Sequence, residues 1–217
     1  MPSWSAPSLI GSANGTATSN SGLAIKLKSP IKIGSLVVVG VLDAGGYSGQ
    51  VIDDQGNNYQ TIVVIENNAY TLSLWYSAIS LPPLKTISYW PSTPGPHSPT
   101  NVTIYAELAN LSGSAFALDP FVMAFSFGSS CVSGAPSGPG DLFVGVAAVN
   151  SETIVPDSSW SGLGRFTGQH LYGDTFRQTY PAAMTLTPQF GSHANTSIII
   201  AAFRPVLPNV AQAIIIG

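Results

Sequence analysis

Gly34-Ser-Leu-Val-Val-Val-Gly-Val-Leu42 and Gly140-Asp-Leu-Phe-Val-Gly-Val-Ala-Ala148 decide the fold. Each is a glycine followed by an apolar run, rich in Val and bounded by turn residues. Such runs fit strands buried on both faces better than helices. Two of them, about a hundred residues apart, predict one large β-sandwich with one deep strand in each half. They also suggest a pseudo-repeat, although outside these runs the two halves of the sequence do not align.

Around these runs the chain alternates short strands with turns. Leu23-Ala-Ile-Lys-Leu27 has the two-residue period of a half-buried strand. Segments 50–53 and 59–65 flank Asp54-Gln-Gly-Asn-Asn58, which predicts a hairpin, because Gly and Asn accept the positive φ of tight turns. Further strands are expected at 71–77, 85–90, 102–108, around 166, at 175–179 and 183–187, and at the fully apolar 197–203. Four prolines between Pro91 and Pro99 make that stretch a loop. The Gly/Ser/Pro-rich stretch 128–140 is the best place for a domain boundary, but resembles more a crossover within one sandwich. The expectation is an all-β chain of about twelve strands, a single β-sandwich of jelly-roll-like type. It is divided into an N-terminal arm or weak edge strand (1–21), a sandwich domain (22–205) and a C-terminal apolar strand or tail (206–217).

Composition narrows the class. Of 217 residues 45% are apolar, enough for a sizeable core, and 22 Gly with 17 Pro nearly exclude long helices. Only 8% are charged, against roughly a quarter in ordinary soluble domains. The polar surface must then be Ser, Thr, Asn, Gln and Gly, as in extracellular and virion β proteins. A net charge of −3 with seven Lys+Arg leaves no basic stripe for nucleic acid. Cys131 is the sole cysteine, so no intrachain disulfide forms. No segment reaches the roughly 18 apolar residues of a membrane helix, and the N-terminus lacks the basic and apolar regions of a signal peptide. An outward-type surface without an export signal is expected of a protein that leaves as part of a virus particle. The alternative is a chain whose signal peptide has been replaced by Met.

The ordered set Gly34-Ser-Leu-Val37, Asp54/Gly56/Asn57/Tyr59, Leu74-Trp-Tyr-Ser-Ala78, Glu107 with Leu118-Asp119, Gly140-Asp-Leu-Phe143 and Ala201-Ala-Phe-Arg-Pro205 resembles a family of β-sandwich domains. Its members occur in phage virion proteins and bacterial surface proteins, with paired "GDLL"-like strands and an "AAF(K/R)P" end. The likeness runs across roughly residues 20 to 205. Ser35 stands where Asp is usual, and Ala109-Asn110 where a Ser-Gly turn is usual. The resemblance implies the sandwich fold and carries over no catalytic residue.

Candidate chemistry is sparse. His97, His170 and His193 lie in Gly/Ser/Pro-rich contexts with no nucleophile-elbow motif and no local metal-ligand pair, so exposed loop positions are expected. Asp53, Asp54 and Asn57 offer oxygens to calcium but lack EF-hand spacing, and a hairpin turn in which Asp and Asn bond their own backbone is the favoured reading. Sequons at Asn14, Asn101, Asn110 and Asn195 matter only after secretion. Two converging acids for glycan cleavage are not indicated. Trp75, Tyr76, Tyr89 and Trp90 lie on adjacent strands. Alternation places one of each pair outward, a candidate aromatic surface for sugar rings, but core packing is the favoured reading for most of them. The apolar end Ile214-Ile215-Ile216 either closes the domain's own sheet or adds to a neighbour's edge, and Trp4, Leu9 and Ile10 of the arm are matching assembly contacts.

The sequence thus points to a non-enzymatic structural protein of a bacteriophage particle with no cofactor or metal. The expected role is a capsid decoration (cement) protein that binds the major capsid protein or other virion subunits at the virion surface. It is expected to be a homo-oligomer, trimeric by analogy, with no nucleic acid or membrane partner. The second reading is a secreted or tail-borne carbohydrate-binding or adhesin module, and a glycan-degrading enzyme ranks third.

Overall fold

A computed structural model describes residues 8–17, 22–31, 33–43, 49–66, 70–81, 83–91, 100–108, 115–119, 123–127, 130–134, 141–150, 154–155, 161–167, 171–180, 185–186, 189–190 and 196–206. Among these the chain is all-β, without helix. The first half holds β1 (Ser8–Ala17), β2 (Leu23–Ile31), β3 (Ser35–Asp43), β4 (Gly49–Asp53), β5 (Gln60–Glu66), β6 (Thr71–Ala78), β7 (Leu84–Pro91) and β8 (Thr100–Leu108). The second holds β9 (Ala115–Leu118), β10 (Ala124–Ser126), β11 (Cys131–Val132), β12 (Asp141–Asn150), β13 (Ile154–Val155), β14 (Ser161–Thr167), β15 (Leu171–Tyr180), β16 (Thr185–Leu186), β17 (Gln189–Phe190) and β18 (Thr196–Val206). Twelve of these are five residues or longer; the remainder are short ladder segments.

The glycine-led runs are the centres of two large sheets. β3 lies in the order β1-β8-β3-β6-β5, and β12 in the order β10-β18-β12-β15-β14, with β9 also paired to β18. All pairs are antiparallel. Every residue of β3 is buried, as are residues 142–149 of β12 and 197–203 of β18. Strand alternation explains why both faces need apolar residues. Leu36, Val38 and Leu42 of β3, with Leu72 and Leu74 of β6, pack against Leu142, Val144, Val146 and Ala148 of β12 and Ile199, Ala201 and Phe203 of β18. The opposite side chains of the first large sheet, Val37, Val39, Val41 and Trp75, pack on a small sheet, β2-β7-β4, through Leu23, Ile25, Val51, Leu84, Ile87 and Tyr89. On the far side of the second large sheet, Phe143, Ala147, Val149, Ile198, Ile200 and Ala202 pack with Cys131 of β11. The molecule is therefore a stack in which two sandwiches meet through their large sheets.

The two halves follow one path. β1, β3, β6 and β8 form one sheet and β2, β4 and β7 the other, a jelly-roll-like course in which β5 joins β6. In the second half β9/β10, β12, β15 and β18 occupy the first set of places and β14 joins β15, while the β11–β16 and β13–β17 ladders stand for β2-β7-β4. Register repeats as well. Leu36 pairs with Glu107 and Ala78, and Leu142 pairs with Phe203 and Thr179. A register shift between Thr61 and Val63, opposite Trp75 and Leu74, has its counterpart between Gly162 and Gly164, opposite Phe176 and Thr175. The pseudo-repeat suggested by two short runs thus extends over both halves. Residues 8–17 of the expected arm form β1, the edge of the first large sheet, and the second passage of the path begins at β9.

Segments 50–53 and 59–65 do not form the expected hairpin. β4 pairs with β7 in the small sheet and β5 with β6 in the large one, so the intervening turn is a crossover between layers.

Tyr70 ties the halves together: its buried hydroxyl lies 3.1 Å from both the Ala148 carbonyl oxygen and Ser197 Oγ, with a hydrogen bond to each. Replacing Phe203 by Ala at the contact between the large sheets should cost about 3–5 kcal/mol. Tyr70→Phe, which removes a bond to a buried carbonyl, should cost about 1–3 kcal/mol. Urea unfolding of both variants checks this, with Phe203→Ala giving the lower midpoint.

Candidate functional site

The crossover 53–59 is the most densely bonded polar feature among the described residues. Asp53 Oδ1 accepts the N–H groups of Gln55, Gly56 and Asn57 at 2.9, 2.7 and 3.1 Å. Its Oδ2 accepts from Asn57 Nδ2 at 2.9 Å. Gly56 supplies the left-handed residue, φ +80°, that closes the turn. The Asn57 amide then reaches the chain after β6: Nδ2 donates to the Leu81 carbonyl at 3.0 Å, and Oδ1 accepts from Ser80 and Leu81 N–H at 3.0 and 2.8 Å. These bonds hold the chain to the neighbouring layer instead of letting it fold back on β4. Asp54 Oδ1 accepts the Lys85 N–H at 3.1 Å. The three residues weighed as calcium ligands do come together, but Asp53 directs both oxygens at N–H donors of the turn. Among the described residues no group of three His, Cys, Asp or Glu is placed to hold a metal.

Tyr59 closes the same turn. Its buried phenol makes no hydrogen bond of acceptable geometry yet lies in the field of Asp53 and Asp54. Burial first, and those carboxylates second, push its pKa well above the ordinary tyrosine value. Tyr89 is raised in the same direction by burial and by Asp43, whose Oδ2 accepts its hydroxyl at 3.2 Å.

The four candidate aromatics separate. Trp75 and Tyr76 do point to opposite faces of β6, but both faces are covered. Trp75 is buried against the small sheet, its Nε1 donating to Ser73 Oγ at 2.9 Å. Tyr76 is half-buried, tilted at 60° to the Phe203 ring with centroids 5.4 Å apart, and its hydroxyl donates to Gln60 Oε1 at 2.6 Å. Tyr89 faces inward, leaving Trp90 exposed on the outer face of the small sheet. Alternation set the faces correctly; what it could not supply is that a third layer covers the second face of β6.

Of the expected assembly contacts, Leu9 and Ile10 fall in β1, Leu9 opposite Glu107 and Ile10 at a register shift. Trp4, Ile214, Ile215 and Ile216 lie outside the described residues, as do the three histidines. A surface the sequence reading missed is β10. Met123, Phe125 and Phe127 alternate at the edge of the second large sheet, 38%, 58% and 60% exposed, with the two rings edge-to-face at 6.3 Å. Phe-x-Phe spacing was the available signal, since it puts both rings on one face of a strand.

The chain matches no protein-family model, no curated protein and no solved structure.

Two outcomes follow from this geometry. Asn57→Ala, which removes a buried amide and its bonds to Asp53, Ser80 and Leu81, should lower stability by about 1–3 kcal/mol, against little change for Asn58→Ala, as read by urea unfolding. Alkaline pH should destabilise the fold. Burial raises the Cys131 thiol from 9.0 to about 11, so the folded state keeps a proton that the unfolded state loses. Its contribution is complete below pH 9.0 and lost as pH rises toward about 11, with Tyr59 and Tyr89 acting in the same sense above 10.0. Urea midpoints should fall across that window, and native Cys131 should stay unreactive toward a thiol reagent near neutral pH.

Proposed function

We propose that this protein is a non-enzymatic structural subunit of a bacteriophage particle, a capsid decoration protein seated on the major capsid protein and carried at the virion surface. The observation that carries the reading is the uncovered Met123/Phe125/Phe127 row on an edge strand, an apolar ledge suited to docking on a neighbouring subunit. The weakly charged surface and the resemblance to sandwich domains of virion proteins support it further. In this role the stacked sandwich is a rigid spacer: binding is done by its edges, by homo-oligomeric contacts and by the apolar C-terminal residues. A trimer is the arrangement analogy favours. The exposed Trp90 favours one second reading, an extracellular or tail-borne glycan-binding module.

Mass spectrometry and cryo-electron microscopy of particles purified from the source test the proposal. The expected result is many symmetric copies on the capsid, and loss of those copies when Phe125 and Phe127 are both replaced by Asp in a chain that keeps its β-sheet circular dichroism. Absence from every particle, or undiminished occupancy by the double variant, overturns it.

A further inference from the structure

The outer face of β2-β7-β4 is the one broad sheet face whose side chains the stack leaves uncovered among the described residues. Alternation turns Leu23, Ile25, Val51, Ile87 and Tyr89 inward and Ala24, Lys26, Gln50, Ile52, Ser88 and Trp90 outward. Register arranges the outward set in rows. Gln50 is opposite Trp90, Ala24 and Ile52 flank Ser88, and Lys26 is opposite Thr86; Lys28, exposed two residues further along β2, lies in the register shift between Lys26 and Ile31.

Trp90 is fixed in this surface rather than loosely hung from it. A Cβ on Gly22 would stand 3.0 Å from Trp90 Cδ2 and 3.1 Å from Cε3, so the indole is seated against bare backbone. Gly22, at φ +78°, has the conformation that favours glycine in any case. The Trp90 residue remains 46% exposed. A ring fixed on one side and open on the other is a platform for a flat ligand with an apolar face.

Charge adds the second half of the inference. The protein is acidic overall, at −3, yet two of its four lysines, Lys26 and Lys28, fall in β2. Lys26 and Lys28 are exposed, and neither makes an ion pair among the described residues. The nearest acids in register, Asp53 and Asp54, are engaged by the turn and by the Lys85 N–H. From the Trp90 row to the Lys26 row is four residues of β7, about 13 Å at strand rise.

We propose that this face binds an acidic polysaccharide, with a sugar ring stacked on Trp90, hydroxyls met by Gln50, Ser88 and Thr86, and carboxylates met by Lys26 and Lys28. The inference does not depend on the virion reading, because it concerns a different face from the β10 ledge. A peptide has no need of the indole platform together with two separated ammonium groups. Nucleic acid is disfavoured because two lysines on a net acidic chain release few counterions.

The test is native gel electrophoresis of the intact protein through gels containing polygalacturonate, alginate or hyaluronan, with dextran as the neutral control and oligothymidylate as the nucleic-acid control. Retardation by at least one uronic-acid polymer and not by dextran is expected. Trp90→Ala and the pair Lys26→Gln/Lys28→Gln should each weaken it at least about tenfold, as loss of a central anchor does. Trp90→Phe, which keeps a ring over Gly22, should retain most of the binding and guards against simple misfolding. Added salt should weaken the wild type and leave the residual binding of the lysine pair variant unchanged. No retardation by any of the three uronans, equal retardation by dextran, preference for oligothymidylate, or undiminished binding by either Trp90→Ala or the lysine pair variant overturns the proposal.

Discussion

The contact between the even-numbered side chains of β3 and β12 is the constraint on which the remaining structure depends. Leu36, Val38 and Leu42 meet Leu142, Val144, Val146 and Ala148, so two large sheets are buried against each other. Each sheet then carries a second apolar face that also has to be covered, which calls for the small sheet on one side and β11 on the other. A strand apolar on both faces has a weakness: a one-residue slip exposes nothing polar to the core, so the usual penalty on wrong register is small. Register has to come from elsewhere, and the ends of β3 supply it. Gly34 N–H donates to the Ile79 carbonyl, Ile79 N–H to the Ser35 carbonyl, and the buried Asp43 accepts the Tyr89 hydroxyl. Across the interface, Tyr70 does the same for β12 and β18. Hydrophobic burial drives the stack together, and a few buried polar bonds choose which alignment is kept.

This division of labour explains what could be read from the sequence. Strands such as 34–42, 140–148 and 197–203 announce themselves because both-face burial leaves each of them apolar between its ends. The repeated path does not, because each position asks only for an apolar side chain of suitable size. Glu107 and Phe203 occupy corresponding register positions with no chemistry in common, and Trp75 and Phe176 share only an aromatic ring. Two halves can therefore share sheet order, pairing and even a bulge while their sequences diverge everywhere except in the two runs.

The crossover was illegible for a different reason. Asp-x-x-Gly-Asn chemistry is the same whether the chain folds back or passes to another layer, since Asp53 and Gly56 act within the turn. The choice is made by Asn57, whose partners at Ser80 and Leu81 lie 23 and 24 residues away. Local spacing holds no trace of that. The aromatic candidates follow the same logic: alternation divides Trp75 from Tyr76 and Tyr89 from Trp90, but only the number of layers says which faces are wet.

Layering also decides where recognition can occur. Among the described residues both faces of β3, β6, β12 and β18 are occupied by packing, and the exposed side chains lie at sheet edges, at turns and on the outer face of the small sheet. In a chain with 8% charged residues, those places are where any departure from a bland Ser/Thr/Asn surface carries information. The two departures differ in kind. The β10 edge is apolar and aromatic, on a short strand at the end of its sheet, which suits a protein surface of matching shape. The β2-β7-β4 face joins one fixed indole to two exposed lysines and a row of hydroxyl and amide groups, which suits a hydrated, negatively charged chain of rings. A rigid stack that separates an apolar docking edge from a polar binding face can be anchored by the first while presenting the second to its surroundings.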